Sequence, residues 1–339
     1  MRTRGAAVVR TSTPSLVVAE RVLLLPACGN YNGGLYTLNC EPIPSAMTFR
    51  GDEPRISTPV PDIFKQINLE ALPRYACPEG YVFCGELLAH FGHFLLESVA
   101  RLWPALNETA FTSRAPVVLS RASVETIASK SYVSGIFAAL NIDSTRMMAF
   151  DSPCLLENVL IPAPAFEIRR HAYANFFSLT NRIGSNLLGA QTVPQSELPL
   201  YLSKAKLRKG LSKIFNESEI EEGLKRYGVT VVHPEQISFS DQIRSIESHR
   251  YILGSVGSAF HTMLFTSGAK RVRGVVMGDV LNSNFMLIDK GLQNIAEYVP
   301  SRELGLRRMD SSELPKDWPI RRTFFCEDVK RYCEWMLAL

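Results

Sequence analysis

The sequence lacks long apolar runs and strong charge of one sign. No stretch approaches the ~20 apolar residues of a membrane-spanning helix, and the N-terminal MRTRGAAVVRTSTPSLVVAE lacks the continuous apolar core of a signal peptide. The formal net charge is +4 over 339 residues, without the concentrated basic stripe typical of nucleic-acid binders. We therefore expect a cytoplasmic protein that does not bind nucleic acid. Small anionic ligands and weak contact with an acidic membrane surface are compatible with this charge.

The seven cysteines show neither a CxxC pair nor an even count. A zinc site and a disulfide framework are both disfavoured, because each needs paired or clustered thiols. We expect reduced thiols, as in a cytosolic protein, and no bound metal.

The composition is that of an ordinary globular protein, with 46% hydrophobic and 21% charged residues, and the length suits two domains. The polar, proline-bearing stretch Gly189–Pro199 is the predicted linker. After it, short apolar runs alternate with segments of helical periodicity, which predicts a parallel, doubly wound sheet with ligands at the carboxyl ends of its strands. We predict an N-terminal domain at 1–190, a C-terminal domain at 191–300, and a tail at 301–339 that packs back on the N-terminal domain.

The segment HFGHFLLESVARLW lies in a predicted helix over residues 85–103. At ~100° per residue, His90, His93, Glu97 and Arg101 fall on one stripe of this helix. An imidazole and a carboxylate one turn apart can share a proton or deprotonate a hydroxyl. Two alternatives stay open. The stripe can be a solvated helix face, or His93 and Glu97 can ligate a metal, although no third ligand is evident.

The segment YILGSVGSAFHTMLF predicts a strand, a glycine turn and a helix. Gly257, Ser258 and Ala259 open that helix, where free N–H groups and the helix dipole favour a phosphate. His261 lies in the first turn and can donate to a phosphate oxygen. The alternative is an ordinary strand-to-helix turn with a structural histidine.

Basic residues follow the predicted strand that ends at Ser203. Cations at the carboxyl end of a strand suit a diphosphate, and the alternative is a solvated loop. Asn216 and Glu219 are typical of a helix N-cap with its capping box, so Asn216 and Glu217 need no function of their own. The basic residues are Lys204, Lys206, Arg208, Lys209 and Lys213.

These segments, in this order, resemble glycosyltransferase family 61. The resemblance covers about residues 85–105 and 200–270, and the ordered set of motifs carries it rather than any one motif. The matching phrases are GHFLLE at Gly92–Glu97, YLSK at Tyr201–Lys204 with the downstream Asn216–Glu217, VVHPEQISFSDQ at Val231–Gln242, and GSVGSAFHTMLF at Gly254–Phe265.

The resemblance implies an α/β protein of the GT-B type, with two Rossmann-like domains facing across a cleft. The nucleotide-sugar donor is then expected mainly on the C-terminal domain and the acceptor mainly on the N-terminal one. It also implies an inverting transfer with no cofactor and no essential metal, in which cations and helix N-termini stabilise the leaving diphosphate.

The resemblance favours Glu97 as the base, because the family keeps a carboxylate there, with His93 orienting it. The reversed assignment, in which His93 is the base and Glu97 fixes its tautomer, stays open. His90 and Arg101 are expected on the acceptor side. Family members usually have Arg at the position of Lys204 and near Lys213, and Lys loses the bidentate geometry. The expected donor-binding residues are Lys204, Arg208, Lys213, Glu235, Gly257, Ser258, Ala259 and His261.

The bacterial branch of the family makes capsular polysaccharide and lipopolysaccharide. Similarity to it implies hexosyl or pentosyl transfer to a glycan or lipid-linked acceptor in cell-surface polysaccharide synthesis. The enzyme would meet such an acceptor at the inner face of the membrane, and the amphipathic C-terminal DVKRYCEWMLAL suits peripheral contact there. A phosphohydrolase is disfavoured, because neither a metal-binding carboxylate cluster nor a nucleophile elbow is found. A non-catalytic sugar-nucleotide or polysaccharide binding module is the remaining alternative, against which the intact His/Glu stripe argues.

Overall fold

The computed structural model describes all residues except 28–32, 59–63, 66, 108, 191 and 339. The chain forms two compact units. The N-terminal unit is Gly5–Ile183, and the C-terminal unit is Gly184–Leu339 together with Met1–Arg4. The division falls inside the helix Ala174–Leu188 and not in the linker predicted at Gly189–Pro199.

A six-stranded mixed sheet forms the core of the N-terminal unit. Its longest strand, Leu16–Leu25, is antiparallel to both of its neighbours, whereas Tyr81–Glu86 is parallel to both of its own. This differs from the all-parallel sheet of the Rossmann-like domain that we expected. Val17 and Val18 are exposed in the outer half of the long strand, which an antiparallel pairing tolerates better than a parallel one. The strand order is Gly34–Tyr36, Leu16–Leu25, Cys154–Pro162, Tyr81–Glu86 and Ala115–Leu119, with Arg74–Tyr75 also paired to Cys154–Pro162.

Smaller elements surround this sheet. Two short helices follow one another, since Lys130 between them is in an extended backbone conformation, and the Ser123 side chain caps the first of them. The strands are Val8–Arg10, Thr48–Arg50, Glu53–Ile56, Phe166–Glu167 and His171–Tyr173; the helices are Pro44–Ala46, Leu69–Ala71, Thr109–Ser113, Val124–Ala128, Ser131–Ala139, Ser144–Arg146 and Ala174–Leu188.

The helix predicted over residues 85–103 is shorter and irregular. An α-turn at Phe91–His93 runs into a π-turn at Phe94–Ser98, and 3₁₀ turns follow at Val99–Arg101 and Trp103–Leu106. The residues before it belong to the end of a strand and a loop. Because π-turns change the angle between successive side chains, a wheel drawn at ~100° per residue does not hold across this segment.

The C-terminal unit contains the predicted parallel sheet. In chain order its five strands are Leu200–Leu202, Thr230–Val232, Tyr251–Ser255, Arg271–Val276 and Ile295–Pro300, and they lie in the order 2-1-3-4-5, all parallel. Both faces are buried, since Tyr201 and Leu253 pack in one apolar cluster while their neighbours Leu200 and Ile252 pack in another. In such sheets ligands bind where the order reverses, here between the first and third strands.

Helices cover this sheet on its two faces, and short turns connect them. The helices and short helical turns of this unit up to residue 313 are Glu217–Lys225, Pro234–Gln236, Phe239–Glu247, Ser258–Phe265, Ser283–Leu292, Ser301–Leu304 and Ser311–Glu313.

The tail, for which we predict packing on the N-terminal domain, belongs to the C-terminal unit. Strand Ile320–Cys326 pairs in parallel with Gly210–Ile214 and antiparallel with Leu306–Arg308. Helix Val329–Leu337 buries its apolar face against helix Glu217–Lys225. At the start of the chain, Arg2–Arg4 pairs with Val280–Asn282. Within the described ranges, every helix is too short or too polar to cross a bilayer.

Candidate active site

The N-terminal unit holds a compact cluster around the Glu97 carboxylate. Arg50 donates to both oxygens, with Nε 2.6 Å from Oε1 and Nη2 2.8 Å from Oε2. His93 places Nδ1 2.6 Å from Oε2. The side chain of Glu97 is only 8% exposed, whereas that of His93 is 41% exposed. The predicted His93–Glu97 pair therefore exists, and its imidazole is open to a ligand.

Arg50 was missed by the sequence reasoning. It lies at the end of strand Thr48–Arg50, outside the helical segment that carries His93 and Glu97. No local motif marks it, because the contact with Glu97 is created by the tertiary fold.

The Glu97 carboxylate is ionised in this setting. Burial alone raises the pKa of Glu97, but the hydrogen bonds from His93 and Arg50 outweigh burial, and the net shift of the pKa is downward. An ionised carboxylate can only accept a hydrogen bond, so His93 donates from Nδ1, and in the neutral imidazole the lone pair is then on Nε2. The geometry thus suits Glu97 as the group that orients His93, with Nε2 as the proton acceptor.

Two further groups shape the surroundings of this pair. The ring of His90 lies 5.1 Å from the ring of His93, and burial and the neighbouring imidazole lower the pKa of His90. Glu86 lies at the end of strand Tyr81–Glu86, and burial and the Glu97 carboxylate raise its pKa. His90 is exposed, so its predicted acceptor-side role stays a prediction.

Arg101 requires a correction, because it does not share an exposed stripe with the two histidines. Its side chain is 1% exposed and faces the interior of the unit. Burial lowers the pKa of Arg101 to about 9. Its guanidinium binds residues 45–48, which lead into Arg50, so Arg101 supports the local backbone. The guanidinium donates to the carbonyl oxygens of Ser45, Ala46, Met47 and Pro162 and to Thr48 Oγ1.

In the C-terminal unit, Lys204 and Gly257 come together at the point where the strand order reverses. Lys204 follows the first strand, Gly257 follows the third, and Lys204 Nζ donates to Val256 O at 3.0 Å. A Cβ at Gly257 would lie 2.7 Å from Lys204 Nζ, so glycine allows this approach. Burial lowers the pKa of Lys204 to about 8, Glu217 and Glu235 oppose that shift, and Arg322 adds to it.

The glycine turn opens a 3₁₀ helix, Ser258–Phe265, whose N-cap is Gly257. Ser258 and Ala259 are half-buried in its first turn, next to the half-buried Lys204. His261 is 8% exposed, and its ring stacks on Phe285 with centroids 5.2 Å apart. The structure therefore places His261 against an aromatic ring rather than on the surface beside the turn.

The other predicted donor residues have different surroundings. Lys213 is buried, and its Nζ donates to Ala205 O at 2.6 Å and to Leu207 O at 3.3 Å, so it supports the loop that follows Lys204. Arg208 is exposed on that loop. Glu235 is also exposed, and its charge opposes the lowering of the Lys204 pKa.

Glu217, for which the sequence predicts no function, is a fully buried carboxylate whose Oε1 accepts from the backbone of Lys204. Its Oε1 accepts from Tyr201 Oη at 2.9 Å and from Lys204 N at 3.2 Å. Burial raises the pKa of Glu217 to about 7. Asn216 does not cap the helix with its side chain, contrary to the prediction, and instead pairs with both backbone groups of Cys326.

Arg322 is a second cation that the sequence reasoning missed. It is exposed on strand Ile320–Cys326, opposite Ser212, and its charge acts on Lys204. The tail carries no motif that would have indicated it. In the part of the chain that the structure describes, no three His, Cys, Asp or Glu side chains form a group that could hold a metal ion.

A parallel α/β unit with cations and a glycine turn at its switch point is the arrangement in which open α/β sheets bind ligands. A sequence profile of the family Glycosyltransferase 61 matches residues 91–275, more than half of the chain. The chain belongs to glycosyltransferase family 61, and it is a glycosyltransferase with a nucleotide sugar and an acceptor as partners. A search of curated proteins found no match. The matched segment contains His93, Glu97 and Lys204, whereas Arg50 and Arg322 lie outside it.

Proposed function

We propose that this protein transfers a hexosyl or pentosyl group, with inversion, from a nucleotide sugar to a hydroxyl of a glycan or glycolipid. The observation that carries the proposal is the hydrogen-bonded set of Arg50, Glu97 and His93. An imidazole that a carboxylate orients through one nitrogen, and whose other nitrogen is free, is a general base of the kind that such a transfer needs. The proposal includes the GT-B arrangement of the two units.

In the proposed step, His93 Nε2 takes the proton of the acceptor hydroxyl while its oxygen attacks the anomeric carbon. The bond between that carbon and the diphosphate oxygen breaks, and the nucleoside diphosphate leaves with the electron pair. The configuration inverts because attack and departure occur on opposite faces. Glu97 stabilises the imidazolium that forms, and Arg50 holds Glu97 in place.

This assignment reverses our first expectation, which made Glu97 the base. Both oxygens of Glu97 already accept hydrogen bonds, and its pKa is lowered rather than raised. A base that works near neutral pH needs a free lone pair and a pKa near the working pH. His93 meets the first requirement through Nε2 and is the more exposed of the two side chains.

The leaving diphosphate is proposed to bind at the switch point of the C-terminal unit. Lys204 and the backbone N–H groups of Gly257, Ser258 and Ala259 supply positive charge and donors there. No essential metal is proposed, because these groups can neutralise the charge that develops on the leaving group. Arg208 and Glu235 are proposed at the margin of the site, where both are exposed.

The cellular role is also a proposal and rests on the resemblance to the bacterial branch of the family. We propose that the product is a capsular or lipopolysaccharide-type surface glycan. The acceptor is then a glycan or a lipid-linked intermediate, met in the cytoplasm or at the inner face of the membrane.

A thermal-shift screen against a panel of UDP-, GDP-, CDP- and TDP-sugars tests the donor class, because a ligand that binds only the native state raises the melting temperature. A donor found this way should then be hydrolysed slowly in water and transferred quickly to a matching acceptor. Donor binding without hydrolysis or transfer would favour the non-catalytic binding module. Absence of binding to every member of the panel would count against the proposal as a whole.

A further inference from the structure

The C-terminal unit contains a cavity formed by the tail, outside the segment that matches the family. Its lining residues all lie between Arg308 and Thr323. Its volume is about 600 Å³, within the ~300–1,000 Å³ of small-molecule sites. Four cations line it, namely Arg308, Lys316, Arg321 and Arg322, against the two carboxylates of Asp310 and Asp317. The excess of positive charge favours an anionic ligand.

One wall of this tail cavity is the indole of Trp318, and its orientation is fixed from several directions. Trp318 Nε1 donates to Thr323 Oγ1 at 2.7 Å. The ring packs on Phe215 with centroids 5.6 Å apart, and Lys213 Nζ lies 5.7 Å from its centroid. The side chain is nevertheless only half-buried. A rigid, partly exposed indole is a good platform for a flat ring, because stacking then costs little conformational entropy.

The tail cavity adjoins the loop that carries Lys204. Lys213 contacts the Trp318 ring and, with the same Nζ, donates to the carbonyl oxygens of Ala205 and Leu207. Strand pairing sets Arg322 opposite Ser212, immediately beside Lys213. Arg322 thus lines the cavity and also acts electrostatically on Lys204. Lys213 and Arg322 therefore link the loop that follows Lys204 with the cavity wall at Trp318.

We infer that the tail cavity is the nucleoside subsite for the donor, with the base stacked on Trp318 and Arg322 on the diphosphate side. The inference rests on the proposed function, which places the diphosphate at Lys204 and Gly257. It adds a specificity element from a part of the chain that the family match does not include. A ring and a diphosphate joined through a ribose is the ligand class that places an aromatic contact and a cationic contact side by side.

Calorimetry with two kinds of probe separates the subsite from the diphosphate site. The probes are UDP, GDP, CDP and TDP on one hand and inorganic pyrophosphate on the other. Trp318→Ala should lower the affinity for the tightest-binding nucleoside diphosphate about tenfold or more, because base–aromatic stacking is worth ~1–3 kcal/mol. It should leave pyrophosphate affinity unchanged. Lys204→Ala should lower the affinity for both probes. Tyr227 is an exposed aromatic residue of the same unit, and Tyr227→Ala should change neither affinity.

Trp318→Phe and Trp318→Leu guard against a general loss of folding. Phe keeps an aromatic face and should keep most of the affinity, whereas Leu keeps apolar volume and should lose it. Trp318 fluorescence gives an independent measurement among the three tryptophans of the chain. The nucleoside diphosphate should quench emission in wild type and in Trp335→Phe, but not in Trp318→Phe.

The outcomes are distinguishable. If wild type binds a nucleoside diphosphate and Trp318→Ala binds it within about twofold of wild type, the subsite inference is overturned and the proposed function stands. Equal weakening of pyrophosphate and nucleoside diphosphate by Trp318→Ala also overturns it, since the effect is then not on the nucleoside. If wild type binds neither probe, both the inference and the proposed function are overturned.

Discussion

Replacing Glu97 with Gln tests whether Glu97 orients His93 or is itself the base. The carboxylate accepts two hydrogen bonds from Arg50 and one from His93, at 2.6–2.8 Å. In the variant a neutral amide faces these donors, so the imidazolium formed in the transition state loses its counter-charge. We expect kcat to fall by ~10²-fold, or ~2.7 kcal/mol at about 1.36 kcal/mol per factor of ten. Donor affinity should stay unchanged.

His93→Ala removes the base and should cost more, up to ~10⁴-fold in kcat. Added imidazole should restore part of this activity, because the side chain of His93 is 41% exposed and a small base can reach its place. The same imidazole should not restore Glu97→Gln, in which the base is still present. This difference separates the base from the residue that orients it.

The assay is single-turnover transfer with saturating donor, which reports the chemical step rather than product release. Glu53→Gln is the matched control, since Glu53 is a carboxylate of the same unit that is 70% exposed. Thermal melts check that each variant is folded. If Glu97→Gln is inactive while His93→Ala keeps near-normal turnover, Glu97 is the base. If both variants transfer sugar at the wild-type rate, the cluster is structural and our reasoning about it fails.

Three further predictions concern charge in the interior. Burial lowers the pKa of Lys204 to about 8, so nucleoside-diphosphate affinity measured by calorimetry should fall as the pH rises through about 8, and Lys204→Arg should remove that fall. Burial raises the pKa of Glu217 from 4.5 to about 7. Ionisation of this group therefore lowers the free energy of unfolding as the pH rises across that window. Measured by urea denaturation, the stability of Glu217→Gln relative to wild type should rise by up to ~3 kcal/mol between about pH 5 and about pH 8. Arg101→Met leaves four carbonyl oxygens and a hydroxyl without their donor, so the free energy of unfolding should fall by at least ~3 kcal/mol in the same assay, with donor binding retained while the protein is folded.

The parallel sheet of the C-terminal unit could be predicted because its signals are local. The apolar run at residues 271–276 predicts the strand Arg271–Val276, and Gly228 predicts an end for the preceding helix within a few residues of Lys225, where it ends. Strand Gly210–Ile214, among the basic residues that follow Ser203, was not predicted. It exposes Leu211 and becomes a strand by pairing with Ile320–Cys326, a partner far along the chain that no local pattern indicates.

The N-terminal unit was predicted less well, for a related reason. A mixed sheet depends on which strands meet, and the apolar run Val22–Leu25 predicts a strand without predicting its antiparallel partners. The π-turn at Phe94–Ser98 has no sequence signal comparable to a cap or a proline. Spacing therefore predicted the contact between His93 and Glu97, which lie four residues apart, but failed for Arg101, which lies beyond that turn.

Two arginines of the N-terminal unit show what residue type alone leaves undecided. Arg101 lies in the family-like segment and looked functional, yet its guanidinium is enclosed by backbone carbonyl oxygens. Arg50 lies in a stretch without motifs, yet it holds the carboxylate at the centre of the site. The two are connected through the backbone. Arg101 binds the carbonyls of Ala46 and Met47 and the hydroxyl of Thr48. Thr48 begins the strand Thr48–Arg50, at whose end Arg50 contacts Glu97. A motif in this unit therefore includes buried residues that support the candidate site as well as residues of the site itself, and burial and hydrogen-bond partners distinguish the two groups.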